Sequence, residues 1–114
     1  MRIIAGIGIA ACFFCWGCRG NQHVPEGILS DTTMRNILVE ISIADAAYTI
    51  SATNPSLPKF RPELFYDEIM KQHHTSRDVF IESMNYYALE TERLQKIYSD
   101  ALVEINERQA KANK

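Results

Sequence analysis

Apolar residues recur at spacings of three and four in four separate stretches of this chain, and no stretch alternates apolar and polar residues with period two. One face of an α-helix repeats about every 3.6 residues and one face of a strand every two. The pattern therefore admits helices and excludes a sheet-based domain. The expected fold is all-α, a small bundle of three long helices and one short one. A length of 114 residues allows one small domain. It excludes a dinucleotide-binding domain with a second domain, a (βα)8 barrel or any large multi-domain enzyme.

Ser30 is a helix N-cap with Asp31 in the favourable first turn. Met34, Leu38, Ile41, Asp45 and Tyr48 then share one stripe, with Ile37, Ala44, Ala47 and Ile50 beside it. An arc that wide predicts the most buried helix of the set, ending before Asn54-Pro55. Asn54 to Pro62 is a proline-rich loop in which Leu57 and Phe60 can serve as apolar anchors. Pro62 opens a short second helix whose stripe is Phe65, Ile69 and His73. Ser76 caps a third, lined by Phe80, Met84 and Tyr87 with Val79 and Ser83 adjacent.

After a break at Leu89 to Thr91, a fourth helix carries Leu94, Tyr98, Ala101 and Ile105, widened by Ile97 and Leu102. Glu92 with Lys96 and Glu104 with Arg108 are i,i+4 pairs in the preferred order. The helical domain is expected over 30–108, with a frayed tail over 109–114. Short connections predict antiparallel neighbours.

The N-terminus is of a different kind. Arg2 is the first charge and Arg19 the next, and Ile3 to Gly17 is an uncharged, mostly apolar run. As a helix it reaches about 22 Å, short of a hydrocarbon core of about 30 Å. A basic start, a short apolar run and small residues before a boundary describe a cleaved signal peptide over 1–17. All three cysteines lie at 12, 15 and 18. Gly17-Cys18 at the end of the leader resembles the lipobox of bacterial lipoproteins, in which the cysteine becomes residue one and carries lipid.

Cys12 after Ala10-Ala11 is the rival position, but it leaves a very short leader and an aromatic-rich tether. The overlapping CxxC pairs could also suggest zinc or redox chemistry. No βαβ context supports redox use, and a zinc site would need His23 as fourth ligand. An uncleaved membrane anchor is the remaining alternative. Lipidation at Cys18, followed by a tether over 18–29, is the preferred expectation. Two or more acyl chains hold stably at a bilayer, so the membrane is the first expected partner and the cell envelope, on its periplasmic or outer-membrane face, the expected location. From Cys18 on, 11 basic residues face 14 acidic ones, which argues against a nucleic-acid partner.

Candidate chemistry is sparse. Asp45 on an apolar stripe could be a ligand-binding acid or a general base, or a polar edge residue held by a Tyr or Arg of a neighbouring helix. His73 and His74 with Asp67, Glu68 and Asp78 could seed a metal site, but adjacent helical histidines diverge by about 100°. His73 fits a half-buried stripe position. Ser83 lacks a nucleophile elbow, and Tyr86 and Tyr87 offer apolar area with a hydroxyl handle, for core packing or a partner. There is no GxGxxG, Walker loop or HExxH, and no cofactor or catalytic residue is expected.

Val24-Pro25-Glu26-Gly27-Ile28-Leu29-Ser30, Ile37-Leu38, Ala44-Asp45-Ala46, Ser76-Arg77-Asp78-Val79-Phe80, Tyr86-Tyr87 and Ile97-Tyr98 follow in an order and spacing that resembles the envelope lipoproteins with the domain of unknown function 4296. The likeness covers about residues 24 to 106 and agrees with lipidation at Cys18. It carries no activity. It does imply a glycine where His74 stands, in left-handed conformation after a helix, and a larger aliphatic in place of Thr75. The expected function is a membrane-anchored, non-catalytic helical module that contacts another envelope protein. The alternative is a small-ligand or metal carrier with a site near Asp45 or His73.

Overall fold

Residues 23–114 are described by a computed structural model, and the leader, Cys12, Cys15, Trp16 and Cys18 lie outside them. The four expected helices form: α1 (Asp31–Thr53), α2 (Pro62–Gln72), α3 (Arg77–Ala88) and α4 (Thr91–Ala112). The described residues contain no strand. Local chemistry sets the boundaries. Ser30 Oγ accepts the Thr33 N–H and Ser76 Oγ accepts the Val79 N–H, each satisfying an amide that the helix itself leaves unpaired. Pro62 occupies the first turn of α2, where its missing N–H costs nothing.

α2 ends in a Schellman turn. The Thr75 N–H donates to the Met70 carbonyl and the His74 N–H to that of Lys71, and His74 sits at φ 55°. That is the left-handed position which the family likeness assigns to glycine. Upstream, the Ile28 N–H donates to the Pro25 carbonyl across Gly27 at φ 85°. A type II turn requires positive φ at that place.

One expectation about helix length is corrected. α3, at 12 residues, is of a size with α2 at 11, so two helices are long and two short. α4 is helical to Ala112, past the expected domain end at 108.

α1 and α2 are antiparallel. Phe60 reaches Ser51, Tyr66 reaches Asp45 and His73 reaches Glu40 in descending order along α1. α3 continues that descent, from Phe80 beside the Ile37–Ala44–Ile69–Met70 cluster to Tyr87 against Met34 and Ile97. The turn at His74 redirects the chain without reversing it. α4 then runs beside α1 in the same direction, with Arg93 at Asp31 and Ile105 to Ala112 alongside Ser42 to Ile50. The expected antiparallel rule therefore holds for α1–α2 and α3–α4 and fails for α2–α3, which run in the same sense although only His73 to Ser76 joins them.

α1 is wedged between α4 and the descending α2–α3 arm. Met34, Ile37 and Ala44 are buried towards the arm. Val39 is buried too, on the stripe of Ser42 and Ile43 that lines the α4 side. Burial fails in the C-terminal half of α1, where Asp45, Tyr48 and Ile50 are exposed. On α4 the stripe centres on Ile97 and Ala101, and Tyr98 and Leu102 face outward. Phe60 anchors the loop by stacking on Phe65 at 4.3 Å, whereas Leu57 stays exposed. Among the described residues no helix is long and apolar enough to cross a membrane.

Candidate functional site

The densest polar arrangement lies where the chain enters the bundle. Leu29 precedes the cap of α1, so its peptide groups are outside any helix and need partners once buried. Two α3 side chains supply them. Ser83 Oγ accepts the Leu29 N–H at 2.9 Å and donates to the Val79 carbonyl at 2.7 Å. The Tyr87 hydroxyl, on a side chain with no exposed surface, lies 2.8 Å from the Leu29 carbonyl oxygen and 2.9 Å from Asp31 Oδ1. Its single proton is shared between those two acceptors.

Arg93 closes the arrangement from α4. Its Nε donates to Asp31 Oδ2 at 2.9 Å and its Nη2 to Oδ1 at 2.6 Å, a bidentate pair. The guanidinium also stands 5.3 Å from the Tyr87 ring centroid, within cation–π range. Partial burial pushes the Asp31 carboxyl up, but the hydrogen bonds from Arg93 and Tyr87 and the charge of Arg93 outweigh it, and the group titrates below the ordinary carboxylate range. Burial first, and then the bond to Asp31, drive the Tyr87 hydroxyl well above its usual value.

The residues singled out from sequence fall in three separate places. Asp45 is exposed on α1 and accepts a hydrogen bond from the Tyr66 hydroxyl, the polar-edge reading of that residue. The bond to Asp45 raises the Tyr66 pKa. His73 is half-buried, and its Nε2 lies 3.1 Å from Glu40 Oε1. Tyr87 belongs to the entry network. Cys18 lies outside the described residues. Among the described residues, no three His, Cys, Asp or Glu side chains gather within reach of one metal ion.

Asp67, near His73 in sequence, instead accepts from Arg77 at 2.7 Å, and Arg77 also donates to the Glu63 carbonyl. On α4 the Glu104–Arg108 pair forms at 2.9 Å, but Lys96 turns to Asp100 rather than to Glu92.

Sequence reasoning missed Arg93 and the partnership of Asp31. One signal was available: a cation in the first turn of α4 opposes the helix dipole and calls for a nearby carboxylate. No curated protein and no solved structure matches the chain. The model of the domain of unknown function DUF4296 matches residues 25–111, from the Pro25 turn to the last residues of α4, and the chain belongs to that family.

Proposed function

We propose that the protein is a bacterial envelope lipoprotein, tethered by lipid on Cys18, whose helices form a non-catalytic module for contact with another protein. One observation carries the module reading: large apolar side chains stay uncovered at the end of the bundle opposite the chain's entry. Ile43, Ile50 and Phe65 are each about half exposed there. Contiguous apolar surface of that kind marks contact sites more often than it occurs idly.

The tether reading is supported by the leader and by the way the entry is built. Residues 18–28 span at most about 40 Å when extended, so lipid on Cys18 would keep the bundle close to the bilayer. Leu29, held through both of its peptide groups, would pass the position of the tether to the bundle as a fixed end.

Both halves are testable. Trp16 is the sole tryptophan, so protein extracted from membranes is expected to lack tryptophan emission and to have the mass of residues 18–114 plus lipid. Retained tryptophan emission overturns the Cys18 anchor. For the module half, cross-linking in membranes should give adducts that Ile50→Asp loses. A wild-type protein that gives none overturns it.

A further inference from the structure

α4 flanks α1 on one side and α2 on the other, and the outer face of the C-terminal half of α1 lies open between them. Two troughs of about 410 and 430 Å³ run along it and share Ile43, Ala47 and Arg108. Ile43, Ile50 and Phe65 supply apolar surface at 45, 58 and 47 % exposure, and the small Ala47 between them lets another helix approach closely. The two rims carry opposite charge. Arg108 stands on the α4 rim and Glu68 on the α2 rim of the same trough. Arg108 gives its Nε to Glu104, which leaves its Nη groups as donors. Glu68 makes no hydrogen bond or ion pair within the described residues.

That left–right asymmetry selects one way for the face to meet its own copy. A twofold axis parallel to the helices sets α4 of each copy opposite α2 of the other, so each Arg108 meets a Glu68. A twofold axis across the helices sets α4 against α4 and α2 against α2, so like charges meet. An isologous interface must be self-complementary, and rim charges of this kind fix orientation more than affinity.

We propose that a second copy of this chain covers the outer face of α1, in a parallel twofold dimer with Ile43, Ala47 and Ile50 along the axis. The pairing rests on reading this face as an interaction surface. Two chains tethered to one bilayer would already point the same way, as the parallel arrangement needs.

The test uses full-length protein in its own membranes, with a photo-reactive phenylalanine analogue at Ile43 and, as control, at exposed Glu82 on α3. Position 43 is expected to give an adduct of twice the chain mass, and position 82 at least fivefold less. Adducts only with a protein of another mass overturn self-pairing and leave the module reading standing. No adduct from position 43 overturns both. With the analogue at Ile43, Arg108→Glu or Glu68→Arg alone should cut the adduct at least fivefold, and the double exchange should restore it. Failure of the exchange to restore it overturns the parallel pairing.

Discussion

Tyr87 and Ser83 hold the two peptide groups of Leu29 from a single face of α3, and these hydrogen bonds add to the apolar packing of Val24, Ile28 and Leu29. Tyr87→Phe keeps the ring and deletes only the hydrogen bonds. It leaves the Leu29 carbonyl without that donor, and should cost about 1–2 kcal/mol in chemical denaturation. Its lost proton also removes a donor from Asp31. His74 shows the opposite balance. Its left-handed backbone has a side chain where glycine would carry no steric penalty, so His74→Gly should raise stability by about 1 kcal/mol, read as a higher denaturation midpoint. Both effects reside in single side chains and need no change of fold.

At the scale of the element, boundaries follow short-range rules and burial does not. Ser30, Ser76 and Pro62 all stand where cap and first-turn preferences put them, because their partners lie within four residues. Ser76→Ala should therefore cost about 1 kcal/mol, read as a lower denaturation midpoint at unchanged denaturant slope. Which side of a helix is covered is another matter. Periodicity predicts a wide apolar arc on α1 and, on α4, a stripe of Leu94, Tyr98, Ala101 and Ile105 widened by Ile97 and Leu102. Yet Asp45 and Tyr48 end up exposed, because they lie on the side of α1 that meets Tyr66 and the Asn54–Phe60 loop rather than α4. On α4 burial settles on Ile97 and Ala101 because α4 faces α1 with that side, and Tyr98 and Leu102, one position on, turn away.

Across the whole molecule, the Asp31–Arg93–Tyr87 network ties together the start of α1, the end of α3 and the start of α4, at the end of the bundle where residues 23–29 enter it. Two of its groups are shifted in opposite directions, so it should lose stability on both the acid and the alkaline side. Asp31 titrates lower in the fold than the unfolded value of 3.8. Its contribution is therefore complete above about pH 4 and is lost as pH falls below that value. Tyr87 titrates higher than the unfolded value of 10.0, so its contribution is complete below about pH 10 and is lost as pH rises beyond it. Thermal melts should fall off on both sides, with a shallower acid limb in Asp31→Asn and a shallower alkaline limb in Tyr87→Phe. Tyr66, also shifted upward by Asp45, accounts for part of the alkaline limb that remains in Tyr87→Phe. A Tyr87→Phe profile identical to wild type above pH 10 would sink this assignment.

The amino-acid sequence by itself determined four helices, the caps of α1 and α3 and the proline loop, since each depends on residues a few positions apart, while the left-handed turn at His74 was implied by the family likeness. It also displayed the family, through landmarks spread over most of the domain. Only the tertiary structure decided that α1 and α4 run parallel, that Arg93 pairs with Asp31 across 62 residues of chain, and that the far half of α1 stays open. Those outcomes depend on which helix faces lie side by side after the turn at His74 redirects the chain. Periodicity states that a face is apolar, and packing alone states what covers it.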